Sequence, residues 1–125
     1  MKTTILIIDD DPIFRLMTHK MIQILKKDAL EIKECENGRT GIKAFENLNY
    51  SAEKVIVFLD INMPILNGWE FLEKLNQILN AKNHLVEVFI VSSSTDKNDE
   101  NKSKTYKLVK EFLSKPLNID IISKI

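Results

Sequence analysis

Four places in this chain carry side chains that can do ionic chemistry, and each follows a short apolar run. Asp9, Asp10 and Asp11 follow "ILII". Asp60 follows "VIVFL", and Ser92, Ser93, Ser94 and Thr95 follow "VEVFIV". Lys115 closes "EFLSK". Carboxylates held a few ångströms apart raise one another's pKa unless a cation joins them. A hard divalent cation meets that need, and Mg²⁺ suits one or two carboxylates, a carbonyl and waters. A lysine beside them can pair with Asp60 and hold an anionic group as well. A serine hydroxyl can donate to a phosphoryl oxygen. Such groups around a carboxylate nucleophile fit phosphoryl transfer to an aspartate, where positioning and charge neutralisation dominate.

That chemistry requires elements that bring the four places together. Short runs rich in Val, Ile and Phe fit strands: "ILII" (5–8), "LEIKEC" (30–35), "VIVFL" (55–59), "VEVFIV" (86–91) and "EFL" (111–113). The first, third and fourth are nearly continuous, as in strands covered on both faces, whereas "LEIKEC" alternates like an edge strand. Between them, Phe14, Met17, Met21, Ile24 and Leu25 follow helical spacing. So do Gly41, Ile42, Phe45 and Leu48, and then Gly68, Phe71, Leu72, Leu75, Ile78 and Leu79. Asp11 suits an N-cap ahead of Pro12 at the first helical position, and Asn67 suits another.

The alternation of strand and helix implies an α/β fold with a parallel sheet, right-handed crossovers and helices on both faces. Five strands favour the flavodoxin-like, doubly wound order 2-1-3-4-5. Ligands in such sheets sit beyond the carboxyl ends of the strands. Order 2-1-3-4-5 makes strands 1, 3, 4 and 5 neighbours, so acids, hydroxyls and lysine share one edge. The polar stretch "TDKNDENKSKT" (95–105) resists the pattern. A fourth helix there is expected to be short, late or mobile, with Tyr106, Leu108 and Val109 as its buried face.

Composition narrows the classes. The 125 residues suit one domain over 1–125, with 44% hydrophobic and 29% charged residues. Lys plus Arg and Asp plus Glu balance at 18 each, so no net charge recruits nucleic acid or an anionic membrane. The single Cys35 excludes an internal disulfide and reads as a small buried hydrophobe. Four apolar residues before the acids are too few for a signal-peptide core or a membrane span, so a cytoplasmic protein is expected.

"IIDDDP", "FLDINMPILNGWEFL", "IVSSS" and "FLSKP" together resemble the four signatures of response-regulator receiver domains, the phospho-acceptors of two-component signalling. The resemblance runs along nearly the whole chain, in order and at the usual spacing. It implies a stand-alone, CheY-like receiver with Asp60 as the phospho-acceptor and Mg²⁺ (or Mn²⁺) as cofactor. Asp10 matches the direct metal ligand, Asp9 the acid acting mainly through water, and Asn62 a backbone-carbonyl ligand beside Asp60. Ser92 matches the switch hydroxyl, Phe112 the switch aromatic, and Lys115 the site lysine, whose bond to Pro116 is typically cis. Asn62 and Ser94 match positions that tune autodephosphorylation.

The implied partners are a sensor histidine kinase or histidine phosphotransfer protein and a downstream protein target. A monomer or a phosphorylation-dependent dimer is expected. Such a chain catalyses only its own phosphorylation and dephosphorylation. Two alternatives stand beside this reading. One is a phosphorelay intermediate without direct output; the other is an aspartate-nucleophile phosphatase. The chain departs from the family in "KLVKEF", where a small Gly-Ala pair is usual before the switch aromatic. The nine residues after Pro116 allow only a short fifth helix. Trp69 and Phe71 read as helix–sheet packing and helix surface, and His19 and His84 as solvated.

Overall fold

In the computed structural model, every apolar run becomes a strand of one five-stranded parallel sheet, ordered β2-β1-β3-β4-β5. The strands are β1 (Thr3–Ile8), β2 (Glu31–Cys35), β3 (Lys54–Leu59), β4 (Leu85–Ser92) and β5 (Val109–Ser114). The helices between and after them are α1 (Pro12–Leu25), α2 (Gly38–Glu46), α3 (Gly68–Leu79), α4 (Lys97–Ser103) and α5 (Ile119–Ser123). The structure describes residues 3–26, 31–48, 54–79, 85–93 and 97–125. Ser94, Thr95 and His84, all singled out from the sequence, lie outside the described residues.

Strand alternation divides the core in two. Leu6, Ile8, Val57, Leu59, Val88 and Ile90 face one side, where Phe45 of α2 and Phe71, Leu72 and Leu75 of α3 cover them. Ile5, Ile7, Ile56, Phe58, Phe89 and Val91 face the other, under Ile22 of α1 and Ile122 of α5. Burying one such aliphatic or aromatic side chain contributes roughly 1.5–3 kcal/mol, so these two layers dominate stability. Phe71 is fully buried, not at the helix surface. Trp69 is half-buried, stacked on Tyr106 at 5.8 Å between centroids. Cys35 is buried, as expected.

Helix starts follow local chemistry. The Asp11 carboxylate accepts from the Ile13 and Phe14 amides, with Pro12 at the first helical position. Asn37 and Thr40 form a reciprocal capping box on α2. Asn67 accepts from the Glu70 amide at 2.9 Å, and the Glu70 carboxylate accepts from the Asn67 amide at 3.1 Å.

The fourth helix is short but not late. It ends at Ser103, its one buried residue, and Tyr106, Leu108 and Val109 pack on the core after it. Tyr106 and Leu108 belong to the connection and Val109 to β5, because a seven-residue helix this polar has no apolar face to bury. In β5 the register skips Lys110, an extra residue between Val109 (opposite Val88) and Glu111 (opposite Phe89). A bulge of this kind twists an edge strand. His19 is not free in solvent: its Nδ1 lies 2.9 Å from the Glu34 carboxylate. Among the described residues, no helix is long and apolar enough to cross a membrane.

Candidate functional site

Parallel register sets the site. Ile8 pairs with Leu59, so Asp9 and Asp60 leave their strands at the same level. The Asp60 amide donates to the Ile8 carbonyl at 2.9 Å, and the Asp9 amide to the Cys35 carbonyl at 3.0 Å. Ser92 pairs with Ser114, and the Lys115 amide then donates to the Ser92 carbonyl at 2.9 Å. The backbone alone therefore brings Asp9, Asp60, Ser92 and Lys115 to one edge.

The side chains converge further. Asp9, Asp10 and Asp60 each place a carboxylate oxygen within 4.8 Å of the others. Asp9 is 1% exposed and Asp60 6%, while Asp10 is open to solvent. Asp60 Oδ1 accepts from the Ile61 amide at 2.9 Å. Asp9 Oδ1 accepts from the Asp11 amide at 2.9 Å. Lys115 Nζ stands 2.7 Å from Asp9 Oδ2 and 3.9 Å from Asp60 Oδ1. The lysine expected to pair with Asp60 thus pairs more closely with Asp9. The Lys115–Pro116 peptide is cis.

Burial and like charge act together on these acids. Desolvation, and then the neighbouring Asp9 carboxylate, push Asp60 up from 3.8 to about 6; Lys115 opposes them only in part. Asp9 is also raised, chiefly by burial, with the hydrogen bond to Lys115 opposing. The donor set fits a hard divalent cation: three carboxylates meet, and each is an oxygen ligand. Asp9 Oδ2 is buried, and Lys115 at 2.7 Å takes one of its lone pairs, leaving the other for a further partner. A cation on this side would satisfy it.

Ser92 is buried at the end of β4. Asn62 is exposed in the loop two residues past Asp60. Phe112, half-buried and opposite Ile90 in register, lines a cavity of about 130 Å³ with Ser103 and Lys104 near the end of α4.

Three further residues shape the site. The Phe14 ring lies 4.5 Å from Lys115 Nζ, a cation–π contact. Arg15 Nη1 donates to the Asp9 carbonyl at 2.7 Å, and its Nε pairs with Glu34 at 3.4 Å. Gly68 lets α3 start against the site: a Cβ there would lie 2.6 Å from the Asp60 carbonyl oxygen. An aromatic and an arginine one turn past an acid run, and a glycine after an N-cap, are the signals that could have flagged them.

The model of the response regulator receiver domain family matches residues 5–125. The chain belongs to this family. The receiver domain is 38% identical over 74 residues to the nitrate/nitrite response regulator protein NarL of Escherichia coli K12, covering 59% of this chain and 32% of that protein. It thus spans about a third of the length of that relative. A two-component response regulator from Cytophaga hutchinsonii superposes with a TM-score of 0.80 at 30% identity, over 99% of this chain and 94% of that one. A similar receiver fold occurs in a Saccharomyces cerevisiae co-crystal of the histidine phosphotransfer protein Ypd1 and the receiver domain of Ssk1. There the TM-score is 0.77 and the identity 17%, over 98% of this chain and 85% of that one.

Proposed function

We propose that this receiver domain accepts a phosphoryl group on Asp60 from a phosphohistidine of a sensor histidine kinase or histidine phosphotransfer protein. The observation that carries the reading is a buried Asp60 ringed by Asp9, Asp10 and Lys115. The Asp60 carboxylate attacks phosphorus in line. The P–N bond breaks, and its electron pair stays on the imidazole nitrogen. Asp60 must be ionised to attack; burial and the Asp9 carboxylate hold its pKa up at about 6 without a cation, and a bound cation would lower it.

Asp9, Asp10, Asp60 and the Asn62 carbonyl would hold Mg²⁺ or Mn²⁺. Its positive charge offsets the converging carboxylates and the phosphoryl oxygens. Lys115, already shared between Asp9 and Asp60, is placed to reach a phosphoryl oxygen. Ser92 donates its hydroxyl to another. Asn62, and Ser94 beyond the described residues, then set water access and the lifetime of the acyl phosphate.

The new group adds about −1.5 to −2 of charge. Pulling Ser92 inward frees space beside β4 and β5. Phe112, which borders the cavity near α4, moves to fill it and biases the α4–β5–α5 face toward its target. The donor has an apolar approach to the site, since Ile13, Leu16 and Met17 are exposed on α1. The yeast complex supports a phosphotransfer protein as the partner class. On this reading the setting is the cytoplasm.

Incubation with Mg²⁺ and acetyl phosphate, followed by intact mass, should add one phosphoryl group. Asp60→Asn should abolish it. An adduct that persists in that variant would overturn the assignment of Asp60. Many product equivalents per chain from a sugar phosphate would favour the phosphatase reading.

A further inference from the structure

A second surface, away from the acid cluster, lies between α2 and α3. Arg39, Ile42, Lys43 and Glu46 recur at three- and four-residue spacing, so they form one stripe of α2. Across from them stand Ile65 and Leu66 of the loop before α3, and Lys74 of α3. The groove between measures about 300 Å³, room for a large side chain or two rather than a cofactor.

Two properties set this groove apart. The first is charge. Arg39, Lys43 and Lys74 have no carboxylate partner among the described residues, and Glu46 is the one acid on the groove. The chain as a whole is neutral, so this is a local positive excess. A larger groove beside α5 carries Lys54, Lys110 and Lys124, but the first two are paired with Glu87 and Glu111 adds a second acid.

The second property is a fixed apolar anchor. Ile65 is 68% exposed and has φ of 70°, a left-handed backbone that β-branched residues avoid. The Leu66 amide donates to the Pro64 carbonyl at 2.7 Å, closing a three-residue turn of the rare hand. The Gly38 amide donates to the Leu66 carbonyl at 3.0 Å, which ties the turn to the start of α2. A strained turn that displays a large apolar side chain is already in its binding conformation, which lowers the ordering cost of docking.

We infer that this groove docks an acidic peptide segment of another protein, with one apolar side chain between Ile42, Ile65 and Leu66 and carboxylates on Arg39, Lys43 and Lys74. The surface does not depend on the chemistry of Asp60. It can therefore be tested on the unphosphorylated protein.

The probe is a fluorescein-labelled twelve-residue peptide of glutamates around a central leucine pair; controls replace every Glu by Gln or by Lys. Anisotropy should show saturable binding of the acidic peptide alone, weakening as salt rises. Amide shifts should move at Arg39, Ile42, Ile65 and Lys74. Arg39→Glu combined with Lys74→Glu should weaken binding more than tenfold. Ile65→Gly removes the anchor while relieving the backbone, so it should keep its melting temperature and still lose about fivefold in affinity. Equal binding of the Gln peptide, shifts confined elsewhere, no binding at all, or an unchanged Ile65→Gly affinity would each overturn the inference. So would binding to phosphatidylserine vesicles, lost in the charge-reversed variant, without peptide binding.

Discussion

The two ends of the sheet treat charge in opposite ways. At the carboxyl ends of the strands three carboxylates converge and one lysine pairs with two of them, Asp9 and Asp60, which burial and repulsion hold above their ordinary pKa. Near the amino ends, one carboxylate has two lysines. Glu87 Oε1 lies 2.5 Å from Lys54 and Oε2 lies 3.0 Å from Lys110, the bulge residue of β5. The Lys54 hydrogen bond, and then that from Lys110, hold Glu87 below its ordinary pKa. The same strands run between them, so the difference comes from the end residues and not from the scaffold. One end is compensated and adds to stability. The other is left short of positive charge and gives stability up.

The comparison makes its largest prediction at Asp60. Without divalent cation at pH 7, Asp60→Asn should stabilise the fold by about 2–3 kcal/mol, the equivalent of the rise in its pKa from 3.8 to about 6. Urea unfolding in EDTA measures this, and a loss of stability would break the contrast. Asp60 binds its proton more tightly folded than unfolded. Its contribution is therefore fully present below about pH 4 and is lost as pH rises to about 6. The wild type should lose that stability across this window, and Asp60→Asn should not.

Glu87 has the opposite sign and a smaller size. Its folded pKa is lowered, so it stabilises above its ordinary 4.5 and stops doing so as pH falls through the folded value. Glu87→Gln should cost about 1 kcal/mol at pH 7 and flatten the acid limb of the stability curve below pH 4.5. Equal acid sensitivity in wild type and variant would mean the pair is silent. Smallest of all, Lys110→Ala should change stability by at most about 0.5 kcal/mol, because Lys110 is 58% exposed and Lys54 remains. A loss several times larger would place the effect in the β5 bulge and not in the ion pair.

Much of this was legible because strand ends are legible. "ILIIDD", "VFLD" and "FLSK" each end an apolar run on a candidate site residue, and alternation with five strands favours the order 2-1-3-4-5. Parallel register then aligns Asp9 with Asp60 without any side-chain information. What the sequence hides is reach. Nothing in "FLSKP" says that Lys115 spans to Asp9 at 2.7 Å while standing 3.9 Å from Asp60. Arg15 and Phe14 fell within an ordinary helical pattern, so their approach to Asp9 and Lys115 could not be read from spacing. The fourth helix is short, as its polarity predicts, but its expected buried face lies beyond it for a related reason. Tyr106, Leu108 and Val109 are apolar and close in sequence to it, but local periodicity does not say which element buries a residue.

Cys35 ends β2 beside Asp9 and hands its carbonyl to the Asp9 amide. Its thiol is buried, and desolvation lifts it to about 11. The thiolate is the form that attacks an alkylating reagent, so the intact fold hides both the atom and its reactive form. Alkylation must then wait for the sheet edge to part beside Asp9. The chain's one cysteine is a built-in timer for that parting, and its alkylation rate with and without added Mg²⁺ reads how firmly this edge is held.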